Sequence, residues 1–131
     1  MLNGKISIRT SEHREIVDIS EDVDAFVTKH QYHSGICQLT ILHTTAALTT
    51  ADLDLGTDQD MLDAFEIMMP KLRYRHPHDP SHVTEHILSS LIGTSLSIPI
   101  DNGKCVLGTW QRIVLVELSG PRSREIVITL I

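Results

Sequence analysis

From residue 95 to the end, the chain reads as four short apolar stretches separated by turns, at 95–100, 104–107, 111–118 and 125–131. Asn102-Gly103 is a hairpin-turn pair, and Gly120-Pro121 marks a second turn. Two strand-like segments open the chain, at 4–10 with Ile6 and Ile8 alternating, and at 15–19. Another spans 35–42 and leads into the small, β-prone run 44–50. Three helical patterns lie between them. Ser20 with Glu21, Asp22 and Asp24 reads as an N-cap and acidic first turn, for a helix to about His30 that buries Val23, Phe26 and Val27. Thr57 caps a second helix through about Leu72, with Met61, Leu62, Phe65, Met68 and Met69 on its apolar face and Pro70 ending it early. The third covers 81–92 and stops at Gly93. Strands mixed with three helices, without regular strand–helix–strand alternation, predict an α+β fold with a largely antiparallel sheet.

At 131 residues this is one domain with room for a real core. The formal charge of −6 argues against a surface built for nucleic acid. Eleven Lys and Arg still suffice for a local anion pocket: Arg73 and Arg75 form one group, and Arg112, Arg122 and Arg124 another. No apolar run approaches the length of a membrane span, and the first residues lack the long apolar core of a signal peptide. Cys37 and Cys105 lie in strand-like apolar stretches and form no CxxC, so buried free thiols and a cytoplasmic location are expected.

Four of the eight histidines, His76, His78, His82 and His86, fall within eleven residues. Imidazole binds divalent metals and moves protons near neutral pH. His82 and His86 are four apart and share a face wherever that stretch is helical. His43 ends the third strand segment, with the hydroxyls of Thr44 and Thr45 beside it, so His43, His76 and His86 are candidates to converge on a zinc-type site. His13, His30 and His33 have no such company and read as surface residues. Asp52, Asp54, Asp58 and Asp60 lead into the second helix, where a first-turn carboxylate is favoured by the helix dipole. Glu117 interrupts the apolar run Ile113-Val114-Leu115-Val116, either on a wet face or in a site. Gly120-Pro121-Arg122-Ser123-Arg124 is a turn whose guanidinium forks suit phosphate. The chain has no Walker loop, GxGxxG, GxSxG or HExxH.

Taken together, these segments resemble the YjbQ-like family, also described as secondary thiamine-phosphate synthase enzymes. The matching words are His43-Thr-Thr-Ala-Ala-Leu48, Asp60-Met61, Tyr74-Arg75-His76 and His86-Ile-Leu-Ser-Ser-Leu-Ile-Gly93. Ile98-Pro-Ile-Asp-Asn-Gly103, Leu107-Gly-Thr-Trp-Gln111 and Gly120-Pro-Arg-Ser-Arg124 follow, in family order and over nearly the whole chain. The resemblance implies a compact protomer in a homotrimer, and a divalent metal (zinc, or magnesium with a phosphate substrate) held by His43, His76 and His86. It implies a secondary activity joining a hydroxymethylpyrimidine diphosphate to a thiazole phosphate with loss of pyrophosphate. Glu117 and Asp60 would then be catalytic, and Thr44, Thr45, Trp110, Gln111, Arg122 and Arg124 would contact a small phosphorylated metabolite.

Two departures bear on this. Ala51-Asp52 stands where the family commonly has Asn-Glu, and Leu88 where a basic residue usually follows the helix histidine. They leave two alternatives beside the synthase: a non-catalytic metal- or small-anion-binding protein, and a metal-dependent phosphate-ester hydrolase. His78 and His82 are extras whose role rests on spacing alone.

Overall fold

The run Ile113-Val114-Leu115-Val116 is apolar without alternation because both faces of its strand are covered. The computed structural model describes residues 1–77 and 79–131; His78 lies outside them. In chain order the elements are β1 (Leu2–Arg9), β2 (Glu15–Asp18), α1 (Ser20–Lys29), β3 (Gly35–Ile41), β4 (Ala46–Ala51) and α2 (Thr57–Met68). A 3-10 turn (Pro80–His82) leads into α3 (Val83–Ile92), followed by β5 (Ser95–Asp101), β6 (Lys104–Cys105), β7 (Arg112–Glu117) and β8 (Ser123–Leu130). This is the α+β domain with three helices and antiparallel pairing that the pattern predicts. Its strands, however, divide into two sheets, β1-β8-β3-β5-β6 and β2-β7-β4.

The division sets the layers. Ile113 and Leu115 of β7 point into a core shared with Leu39, Ile98, Ile126 and Ile128 of the larger sheet. Val114 and Val116 face the other way, onto Leu62 of α2 and Leu88 of α3. The order is therefore large sheet, small sheet, then two helices, with β7 in the middle of the small sheet between β2 and β4. Each fully buried aliphatic side chain here contributes roughly 1.5–3 kcal/mol of transfer free energy.

Several local expectations shift for identifiable reasons. The two opening strands do not pair with each other: β1 lies along β8 and β2 along β7. Ser20 does not cap α1, because its hydroxyl accepts the backbone N–H of Ile113 at 2.8 Å. Asp18 instead accepts the N–H of Ser20 at 2.9 Å. Thr57 is already helical; the residue before it, Gly56, has φ 90°, a left-handed turn that a side chain resists. Asn102 and Gly103 both have positive φ, as a tight hairpin of this type needs. Both cysteines are free, and Cys37 is buried. Among the described residues no helix is long and apolar enough to cross a membrane.

The double-sided burial of β7 gives a direct test. Leu115 is fully buried, so Leu115→Ala should lower the unfolding free energy by about 2–5 kcal/mol in urea titration. Leu55, fully exposed, should tolerate the same change within about 0.5 kcal/mol. Equal effects at the two positions would contradict the layering.

A histidine pocket at the end of the inter-sheet core

Strand alternation fixes what closes the core. Glu117 shares the inward face of β7 with Ile113 and Leu115, and Arg124 shares the inward face of β8 with Ile126 and Ile128. At the same end of the core the two meet, both fully buried. Arg124 Nε donates to the Glu117 carboxylate at 2.9 and 3.1 Å, and its Nη2 also donates to that carboxylate. Nη2 further donates to the carbonyl and hydroxyl oxygens of Thr45, each at 3.0 Å. Thr10 donates its hydroxyl to Glu117 at 2.6 Å, and the Ser119 N–H donates to it at 3.1 Å. Burial alone would push the Glu117 carboxyl up, but the donors from Arg124, Thr10 and Ser119 hold it below its usual value. Glu117 and Arg124 thus face each other inside the protein, as a polar plug between the sheets.

The histidines lie just outside this plug. His43, in the β3–β4 connection, accepts the backbone N–H of Glu125 at Nε2, 2.9 Å away. A neutral ring in that bond carries its hydrogen on Nδ1. His86, on α3, donates Nδ1–H to the Thr44 carbonyl at 3.0 Å, which leaves the Nε2 lone pair open. Ser89, one turn on, ties α3 to β4 by donating to the Ala46 carbonyl at 2.6 Å. His76 comes from the connection between α2 and α3, and its ring stacks on His86 with centroids 5.1 Å apart. Its Nδ1 accepts the Asp79 N–H at 3.4 Å. Together His43, Thr44, His76 and His86 line a cavity of about 370 Å³.

Three segments distant in sequence therefore bring three imidazoles to one cavity. The donor set suits zinc, and His86 already has the form of a metal ligand, with one nitrogen oriented by a carbonyl and the other open. The other two rings are held differently. His43 uses its lone pair on Glu125, and the His76 and His86 planes differ by only 19°. A shared ion would have to lie near both ring planes at about 2.0–2.1 Å from each nitrogen, which face-to-face rings do not allow. Accordingly, among the described residues no three His, Cys or carboxylate side chains converge on one point.

The remaining expected site residues fall into two groups. Thr44 lines the pocket, Thr45 holds Arg124, and the exposed Arg122 is close enough for its charge to act on His43. Asp60 is exposed in the first turn of α2, and does not line the cavity, consistent with an ordinary helix-start carboxylate. Trp110 and Gln111 stand at the opposite end of the small sheet. Gln111 donates to Thr50, four residues along β4 from Ala46 and roughly 13 Å away at about 3.3 Å per residue. Trp110, 76% exposed, lines a separate cavity with Asp18, Asp52 and Arg112.

His82 parts company with His86 because the 3-10 turn breaks the helical register before α3 begins. Its nitrogens meet Glu85 at 2.8 Å and Asp79 at 3.0 Å, away from the pocket. The residues that pattern did not flag are Thr10, which follows Ile8 on the inward face of β1, and the buried Glu85. His13, although exposed, stands 3.8 Å from Glu85.

A family model described as UPF0047 protein YjbQ-like matches residues 4–131. The chain is similar to a UPF0047 protein of Mycobacterium tuberculosis, 36% identical over 114 residues that cover 86% of this chain and 84% of that one. It is 33% identical to the UPF0047 protein YugU of Bacillus subtilis, over 91% of each chain. Among solved structures it is similar to a YbjQ-like protein of unknown function from Sulfolobus solfataricus. There the TM-score is 0.88 and the identity 32%, over 97% of this chain and 94% of that one. A hypothetical protein from Aeropyrum pernix gives a TM-score of 0.91 at 26% identity, over 100% and 98% of the two chains.

Surroundings set His43 and His82 apart. Burial, with the charges of Arg124 and Arg122, holds His43 below the ordinary 6.5, whereas hydrogen bonding to Glu85 and the charges of Glu85 and Asp79 raise His82. Protonating His43 therefore works against the fold as pH drops below 6.5 toward its native value. The stabilisation from His82 is present at low pH and fades as pH rises through its own raised value. An NMR titration of the imidazole rings should give a midpoint below 6.5 for His43 and above it for His82. The reverse order would overturn this electrostatic picture.

Proposed function

Because the chain belongs to the YjbQ-like UPF0047 family, we propose that it acts on a small phosphorylated metabolite at the His43–His76–His86 pocket, by thiamine-phosphate-synthase-type transfer. The observation that carries this reading is the meeting of three imidazoles and Thr44 in one cavity of about 370 Å³. In such a transfer the bond from the pyrimidine methylene carbon to the diphosphate oxygen breaks, and its electron pair leaves on pyrophosphate. The thiazole nitrogen lone pair forms the new carbon–nitrogen bond. The barrier is largely the charge gathering on the leaving group, so positioned donors matter most.

This chain supplies such donors. The Thr44 hydroxyl and the Arg122 guanidinium are exposed at the pocket side of the plug and available to phosphate oxygens. His76, with Nδ1 accepting from Asp79, adds a third imidazole to the pocket wall. His86 keeps Nε2 open to take a proton or a ligand. Glu117 acts here as a positioning residue: it holds Arg124, which holds Thr45, next to the carbonyl that aims His86. A divalent ion, when bound, would add positive charge opposite the departing pyrophosphate; His86, with its open Nε2, would be its first ligand, and His43 and His76 would join it only by turning out of their present hydrogen bonds with Glu125 and Asp79. A homotrimer is part of the same proposal, supported by the exposed apolar side chains Ile67, Met68 and Leu91 on α2 and α3.

One observation favours a second reading, binding without turnover. Leu88 is buried against the small sheet, so the position where relatives commonly carry a basic residue adds no charge to the pocket. Product formation from the two purified substrates separates the readings. The chain should give product above an enzyme-free control, with loss on adding chelator and a roughly 100-fold or greater loss in His86→Ala. No product at any metal supplied would leave the binding reading, and pyrophosphate or phosphate release without condensation would indicate a hydrolase. In sedimentation the particle should have three times the 14.7 kDa mass of the chain.

A further inference from the structure

The other side of α3 carries a second cavity, of about 640 Å³, within the range of small-molecule sites. Val83, His86 and Ser90 line the histidine pocket, while Ser81 and Thr84 line this one, so the two cavities flank the same helix start. Its charge runs against that of the whole molecule. In a chain of net charge −6, Arg14, Lys71 and Arg73 line the cavity against a single carboxylate, Glu66. Arg14 adds a second signal: its Nη1 is buried and meets no hydrogen-bond partner among the described residues. A buried guanidinium N–H without an acceptor is costly and is normally matched by one. Met69 and Leu72 give the same cavity an apolar side.

We propose that this cavity is an oxyanion site that takes the phosphate end of a small organic phosphate, with Arg14, Lys71 and Arg73 as its anion contacts. Guanidinium forks and an ammonium satisfy a dianion from several directions. The apolar side accommodates the carbon skeleton of the ester. Arg73 and Tyr74 line this cavity and His76 lines the histidine pocket, so anion binding here fixes the segment that delivers His76. The site does not depend on the chemistry assigned to the histidine pocket.

A titration of the full chain with inorganic pyrophosphate at low ionic strength, followed by amide NMR, tests it. Saturable shifts are expected at residues 71–74 and 81–84. The dissociation constant should rise at least tenfold in Arg14→Ala and in the exposed pair Lys71→Gln/Arg73→Gln, and stay unchanged in His86→Ala. The double variant keeps the test valid if Arg14→Ala does not fold. Citrate at equal concentration should bind more weakly, since its carboxylates, spread over a branched carbon skeleton, bring fewer oxygens to Arg14, Lys71 and Arg73 at once than compact pyrophosphate does. Shifts confined to the surroundings of His43 and His86, binding untouched in the Lys71→Gln/Arg73→Gln protein, or citrate binding as tightly as pyrophosphate would each overturn the proposal.

Discussion

The ion pair between Glu117 and Arg124 is the constraint on which the working end of this protein depends. Two sheets that share an apolar layer must end somewhere, and here the end is closed by a carboxylate and a guanidinium with no exposure. Removing one partner of a pair like this strands a buried charge, a loss of about 3–5 kcal/mol in comparable cases. The pair joins β7 to β8, and through Thr10 and Thr45 it also fixes the end of β1 and the entry to β4. The β3–β4 connection is thereby pinned between Thr45 on Arg124 and His43 on the backbone of Glu125. The carbonyl of Thr44, which aims His86, lies between those two anchors. Gly120 follows from the same crowding: a Cβ there would lie 2.4 Å from the Glu12 carbonyl oxygen and 2.8 Å from Glu117 and Thr10.

Much of the fold was legible because its signals are local. The helix α3 ends at Gly93 as its sequence indicates, and the Asn102-Gly103 turn has the positive φ values its residues favour. The partition into two sheets was not legible, since nothing in residues 4–19 says that β1 seeks β8 while β2 seeks β7. The unbroken apolar run of β7 was the available clue to a strand covered on both faces. Glu117 illustrates the limit in the site. A carboxylate ending an apolar run is compatible with a wet face, a catalytic group or a buried pair, and only the position of Arg124 decides among them. Histidine spacing had a similar limit, because a 3-10 turn of three residues was enough to send His82 to Glu85 and His86 to Thr44. Trp110 and Gln111 belong to one sequence word of the family, yet the length of β4 separates them from the histidines within the protomer.

The imidazoles show how one residue type acquires different chemistry from its surroundings. Burial and neighbouring arginines favour the neutral form of His43, whereas two carboxylates favour the charged form of His82. His86 is neither paired with a carboxylate nor fully enclosed, and its open nitrogen is fixed in direction by a main-chain oxygen. A nitrogen so placed reaches a ligand without paying for reorientation, and it belongs to the ordered wall of the pocket that rests on the sheet ends.

The position of β8 has a consequence for biosynthesis. β8 is second from the edge of the larger sheet, hydrogen-bonded to β1 on one side and β3 on the other. β1 lies along β8 alone, so it has no sheet partner until β8, more than 100 residues later in the sequence, has cleared the ribosome. Closure of that sheet, and with it the placing of Arg124 and the seating of His43 against Glu125, therefore waits on the synthesis of everything between them. Until then, the apolar inner faces of β1 and β3 depend on other cover, so the nascent chain is a natural client for chaperones that shield exposed strands.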